Sequence, residues 1–210
     1  MGRNCWARRV PLLRHAAGQI GDPQVRHRGT IGGSIAHGDP ASDLPAVLLA
    51  LRATIVARGP GGQREIRVDD FFTGFLETAL AADDLLTEIR VPKVAGAGWS
   101  FQKFNRRAQD WAIVGVACVR TNGTAGIGLV NMGPTPIRAV AAEQALASGA
   151  GPADVAAVAD EGTDPPRAST PRPPTAATWP ASSFAAISRK PPLDRSRIWS
   201  CAAYEPVYFT

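Results

Sequence analysis

Apolar positions first recur at helical spacing. In VPLLRHAAGQI (10–20), Leu12, Leu13, Ala16, Ala17 and Ile20 fall on one face and predict a helix. Gly21-Asp22-Pro23 should end it, because a proline disfavours helical geometry in the residue before it. The short segment QVRHR then leads into GTIGGSIAHGDPASD (29–43), which is polar and glycine-rich. DLPAVLLALRA, from Asp43, is almost wholly apolar and predicts a buried helix. Ser42 or Asp43 can cap it, and Pro45 is tolerated in its first turn.

The period then changes. TIVAR and QREIRV flank GPGG and predict a hairpin. DDFFTGFLETAL reads as a loop and short helix, with Phe71, Phe72, Phe75 and Leu76 supplying core. LLTEIRVP reads as a strand closed by Pro92. KVAGAG (93–98) is small, flexible and aperiodic, so it marks a boundary between two lobes. Beyond it, WSFQKFNRR is a strand with Trp99, Phe101 and Lys103 on one face. WAIVGVACVR and GIGLVNM flank Asn122-Gly123, a strong hairpin signal. IRAVAAEQALASG predicts a helix with Gly149 in the left-handed cap position, and PADVAAVADEG predicts a second. The second lobe is thus a three-stranded sheet with two helices, and the fold class is α+β. The expected parts are 1–93, 94–163 and a tail, 164–210, whose Pro, Thr, Ser and Ala have no period and predict irregular coil or disorder. Within that tail, Trp199, Tyr204, Tyr208 and Phe209 are candidates for loose docking.

Composition narrows the function. The 210 residues are 45% hydrophobic and 20% charged, as in ordinary globular proteins. No apolar run approaches the roughly 18 residues of a membrane span. The formal charge is +5, but the basic residues crowd the two ends, from Arg3 to Arg28 and from Arg167 to Arg197, instead of forming one stripe. That argues against nucleic acid. Cys5, Cys118 and Cys201 are too scattered for a disulfide framework or zinc spacing, and read as free thiols in a reducing cytoplasm.

The candidate chemistry lies at residues 29–43. Gly32-Gly33 lets the main chain turn tightly and approach a ligand, since no Cβ intervenes. Successive amides in such a turn suit a phosphate. His37 and Asp39 together are too few for a metal site. No Ser-His-Asp or Cys-His set is apparent, so no nucleophile is assigned.

RHRGTIGGSIAHGDPASDLPAVLLAL resembles the FAD-binding medium subunit of the xanthine dehydrogenase and carbon monoxide dehydrogenase family of molybdenum hydroxylases. VDDFFTGFLETAL, LLTEIRVP, GWSFQKFNRRAQDWAIVGVA and LVNMGPTPIRA match that family in the same order, over roughly residues 10–163. The resemblance implies an FAD-binding lobe of the vanillyl-alcohol-oxidase type. It implies that Thr30, Ile31, Gly32, Gly33 and Ser34 present amides and hydroxyls to the pyrophosphate. It also implies that Asp43 accepts a hydrogen bond from the cofactor, and that Leu86, Lys103 and Trp111 stand near the flavin ring. The implied partners are a molybdenum–pterin large subunit and a small subunit with two [2Fe–2S] clusters, in a dimerised heterotrimer. The implied role is electron transfer from those clusters through FAD to an acceptor, with no chemistry by this chain alone. FFTGF and the helices of the second lobe are candidate contacts for the iron–sulfur subunit.

Two departures accompany the resemblance. The family's earlier segment, with a first glycine loop of the kind AGGHS, has no match here, so the expected chain is N-terminally truncated and lacks the first lobe. Each lost amide–phosphate bond would remove about 1.5–3 kcal/mol. The tail also differs from the usual family ending. Back-translated with GC-rich codons and read in the neighbouring frame, ASTPRPPTAATWPASSFAA gives LDASAAYRRHLAGVLVRR, close to that ending. A frameshift after about residue 166 is therefore expected to have produced residues 167–210. Two alternative readings are a fragment that no longer binds FAD, and a basic binding module.

Overall fold

A computed structural model describes residues 10–166, apart from 95, 122 and 123, and the backbone of 204–207. Helices α1 (Pro11–Gly18), α2 (Pro23–Arg28), α3 (Ile31–His37) and α4 (Asp43–Ala50) come first. They are followed by β1 (Thr54–Gly59), β2 (Gly62–Arg67), a 3₁₀ turn (Val68–Asp70), β3 (Phe72–Gly74), β4 (Glu77–Thr78) and β5 (Leu85–Pro92). The second half holds β6 (Gly98–Phe104), β7 (Val114–Thr121), β8 (Thr124–Val130), β9 (Ile137–Arg138), α5 (Val140–Ala147) and α6 (Pro152–Ala157). A last strand, β10, covers Tyr204–Val207.

The α+β class holds, with three separate antiparallel sheets in the orders β10-β5-β1-β2, β3-β4 and β6-β7-β8-β9. The second half has its three long strands and two helices, and β9 adds a two-residue edge. The β7–β8 ladder runs to Thr121↔Thr124; the expected Asn122-Gly123 turn lies outside the described residues. Gly149 takes φ +84°, in the left-handed region expected of a helix end.

Four local expectations are corrected. TIGGS is not an open loop but the first turn of α3, because Thr30 caps a helix there. QVRHR is helical too, capped by Asp22, whose carboxylate accepts from the amide of Val25 at 2.8 Å. FFTGFLET forms the β3–β4 hairpin instead of a helix. Phe71 is fully buried, but Phe75 and Leu76 at the hairpin tip are exposed, since Leu76 turns the chain with φ +58°. Finally, four residues of the tail are regular: Tyr204–Val207 pair with β5, from Tyr204↔Pro92 to Val207↔Ile89. Trp199, Tyr208 and Phe209 lie outside the described residues.

Helix α4 is the axis of the molecule. All eight of its residues are buried: Asp43 at its start, and seven apolar residues that leave no polar face for solvent. Each fully buried leucine, such as Leu48, contributes about 1.5–3 kcal/mol. α1 covers one side of α4, and β7 and β8 cover another. The helix lies so close to β8 that a Cβ on Gly126 would stand 2.0 Å from the carbonyl oxygen of Ala50. One on Gly128 would stand 1.9 Å from that of Ala46.

The β6-β7-β8-β9 sheet is therefore covered on both faces. Ala117, Val119 and Val130 join the core around α4, with Phe101 of β6. Val114, Val116, Cys118, Ile127 and Leu129 form a second core under α5 and α6. Alternate residues of one strand point to opposite faces, which is why VGVAC is an unbroken apolar run.

Candidate functional site

The glycine pair opens α3. The hydroxyl oxygen of Thr30 accepts from the amide of Gly33 at 3.0 Å, and the amide of Ser34 donates to the carbonyl of Thr30 at 3.0 Å. The amides of Ile31 and Gly32 come before the first intrahelical acceptor they could use. A Cβ on Gly32 would meet nothing within 4 Å. Gly32 also has a helical backbone, which any residue can adopt. Inside a helix, glycine is less favourable than alanine by roughly 0.5–1 kcal/mol. Nothing in the fold around Gly32 requires the absence of a side chain.

Helix α3 ends at Gly38, in the left-handed conformation at φ +69°. Asp39 then accepts from the amide of Ala41, and the turn delivers Asp43 to the first position of α4. Ser42 precedes the helix without a side-chain capping bond. Asp43 is buried, and its Oδ2 accepts from Nζ of Lys103 at 2.8 Å. The side chain of Lys103, near the end of β6, is buried as well. Its Nζ is 3.5 Å from the carbonyl of Gln19. Oδ1 of Asp43 is buried with no hydrogen-bond partner. Burial raises the pKa of Asp43 above the ordinary carboxylate value, and the hydrogen bond and charge of Lys103 offset only part of that shift.

Lys103 lines a cavity of about 320 Å³ together with Gln19, Arg26, Asn105 and Gln109. Arg26 closes one wall by donating to the carbonyls of Ile20 and Gly21 at 2.8 and 2.9 Å. Its lining offers cationic and amide groups, so it suits a ligand rich in acceptors.

The remaining candidates are dispersed around this pair. Leu86 is half-buried on β5, opposite Ala57, and packs against the first core. β5 in turn lies against α3. Trp111 is in the connection between β6 and β7 and is 61% exposed, so it is not a core aromatic. Sequence reading thus located the Asp43–Lys103 pair as two separate residues and missed that they touch. It also missed Arg26, Asn105 and Gln109, which carry no motif of their own.

A second charged cluster ties the two halves together. Glu143 is buried; its Oε1 accepts from the amide of Ile127 at 2.8 Å and from Nε of Arg138 at 3.0 Å. Its Oε2 accepts from Arg138 and, at 3.4 Å, from Arg52. Arg138 also donates to Asp69 at 2.8 Å. Among the described residues, no three His, Cys, Asp or Glu side chains are grouped to hold a metal ion.

Known proteins match both halves of this chain. The profile of the FAD binding domain in molybdopterin dehydrogenase matches residues 1–94. That of the CO dehydrogenase flavoprotein C-terminal domain matches residues 99–161. The carbon monoxide dehydrogenase medium chain of Hydrogenophaga pseudoflava is 47% identical over 136 residues, covering 62% of this chain and 47% of that protein. The glyceraldehyde dehydrogenase medium chain of Sulfolobus acidocaldarius is 47% identical over 109 residues, covering 52% and 39%. The reconstituted CO dehydrogenase from Oligotropha carboxidovorans superposes with a TM-score of 0.73 at 35% identity, over 78% of this chain and 60% of that one. The chain belongs to the family of FAD-binding medium subunits of the molybdenum hydroxylases. It spans about half the length of the curated relatives it matches.

The residues present fit a flavin dinucleotide. Gly32 offers a surface free of side chain, Asp43 holds an unsatisfied carboxylate oxygen, and Lys103 faces a polar cavity.

Proposed function

We propose that this chain binds FAD and works as the electron-transfer flavoprotein of a molybdenum hydroxylase. The observation that carries this reading is Gly32, a glycine in a helical turn with open space where its Cβ would lie. The fold has no use for it there, whereas a closely approaching phosphate does.

When bound, FAD accepts electrons and delivers them to an external acceptor. The chain's own residues bind and orient. Thr30 fixes the start of α3, so that the amides of Ile31 and Gly32 face outward toward the pyrophosphate. Ser34 offers a hydroxyl one turn on. Asp43 accepts from a hydroxyl or ring N–H of the cofactor through Oδ1, while Oδ2 stays on Lys103. Lys103 favours negative charge on a bound ring by Coulomb attraction. Leu86 supplies apolar contact, and Trp111 an aromatic face. In this reading, [2Fe–2S] clusters on a small subunit would supply the electrons, and substrate chemistry would belong to a molybdenum–pterin centre on a large one. Relatives of equal identity serve carbon monoxide and glyceraldehyde dehydrogenases, which fits a substrate chosen on another chain. We place the protein in the cytoplasm, consistent with scattered cysteines; among the described residues no helix is long and apolar enough to cross a membrane.

The test is Gly32→Ala. A helical alanine raises the unfolding free energy by about 0.5–1 kcal/mol. The same methyl obstructs the pyrophosphate and weakens FAD binding about tenfold or more, measured by fluorescence titration. A G32A chain that is stabilised yet binds FAD as the wild type does would refute the assignment.

A further inference from the structure

Asn131 follows β8 and sits at φ 59°, one of four non-glycine residues with positive φ among those described. Its amide donates to the carbonyl of Pro40 at 2.8 Å. Its side-chain Nδ2 donates to the carbonyls of Ala112 and Ile113, both at 3.1 Å. One residue therefore holds two segments that are far apart in sequence. Pro40 belongs to the turn that delivers Asp43 to α4, and Ala112 follows Trp111 directly.

The requirements at this position are exacting. The backbone needs a residue that tolerates the left-handed region, which few other than glycine and asparagine do readily. The side chain needs two N–H donors on one nitrogen to reach two carbonyls. Glycine meets the first need alone. Aspartate meets the first and violates the second, setting a carboxylate against two carbonyl oxygens. Ala112 packs into the first core, but the loop from Asn105 to Ile113 has few other hydrogen bonds: Ile113 donates to Phe104 at 2.8 Å, and Asp110 bonds within the loop. Asn131 thus fixes the end of that loop nearest Trp111.

We infer that Asn131 is a positioning residue, setting the loop that carries Trp111 against the turn that carries Asp43. Its consequence for the flavin rests on the proposed function; its consequence for the loop does not.

The experiment uses the full chain with Asn131→Gly and Asn131→Asp. Glycine keeps both the positive φ and the amide bond to Pro40, so N131G retains the wild-type fold by circular dichroism. Hydrogen exchange of residues 105–113 should rise about tenfold in N131G and more in N131D, while the rest of the chain is unchanged. The FAD dissociation constant should rise about tenfold, and the visible band of bound FAD should shift in shape. Unchanged exchange at 105–113 in N131G overturns the inference. So does a uniform rise across the whole chain, which marks simple loss of stability. A wild-type chain that takes up no FAD refutes the flavin reading, and exchange alone then decides for Asn131.

Discussion

Lys103 and Asp43 are 60 residues apart in sequence and 2.8 Å apart in space. Lys103 comes from β6, the edge strand of the β6-β7-β8-β9 sheet, and Asp43 opens the helix that this sheet packs on. The pair is a buried cross-link between the two halves of the chain, made at the edge of the cavity.

Removing one member should cost far more than removing both. Lys103→Met leaves Asp43 buried without a counter-charge and destabilises by about 3–5 kcal/mol. The double variant Asp43→Asn with Lys103→Met buries no charge and should recover most of that loss. Because the folded-state pKa of Asp43 is raised, the native chain holds its proton more tightly than the unfolded chain. Its contribution to stability therefore falls as pH rises from the ordinary carboxylate value through the folded one, and the double variant should lack that slope. Urea denaturation of the three chains between pH 3 and 7 reads both effects.

The approach of α4 to β8 predicts steric intolerance. Gly128→Ala places a methyl 1.9 Å from a backbone oxygen of Ala46, which no rotamer change can relieve. We expect a loss of about 3 kcal/mol or more, against the gain expected for Gly32→Ala. Thermal unfolding of the two variants side by side should show shifts of opposite sign.

Asp69 should give an acid limb of stability. Burial opposes its ionisation, but hydrogen bonds and charge from Arg138 and Arg67 prevail and lower its pKa. A lowered carboxylate contributes stability above its unfolded value and loses it as pH falls through the folded one. The group is largely solvated, so the effect is small, about 0.5 kcal/mol. Asp69→Asn should be less stable than the wild type at pH 6, and the difference should shrink as pH falls below the ordinary carboxylate value.

Cys118 should be inert. Burial, with the charge of Glu143, pushes its thiol up to about 12. Peptide mapping after alkylation at pH 8 should find Cys118 unmodified in the native chain and modified once urea unfolds it.

The sequence by itself determined α1, α4, α5, α6 and the long strands, because each of these rests on local pattern. Leu12, Leu13 and Ala16 at helical spacing did become the buried face of α1, and LLTEIRVP became β5 over the same residues. The apolar run from Asp43 to Ala50 could only be a buried helix. Where local signals competed, pattern failed. TIGGS reads as a loop because glycine is a poor helix former, yet the Thr30 cap and the packing of α3 on β5 overcome that preference. DDFFTGFLETAL reads as a loop and short helix with Phe71, Phe72, Phe75 and Leu76 in the core, yet it turns back at Leu76 into a hairpin that leaves Phe75 in solvent.

Only the tertiary structure decided which residues meet. The contacts of Lys103 with Asp43, of Gly128 with Ala46, and of Asn131 with Pro40 and Ala112 join segments that share no period or spacing. They follow from how closely one helix settles onto one sheet, and that distance is set by side-chain volume packed from both sides. Composition along the chain records those volumes without recording which of them will be neighbours.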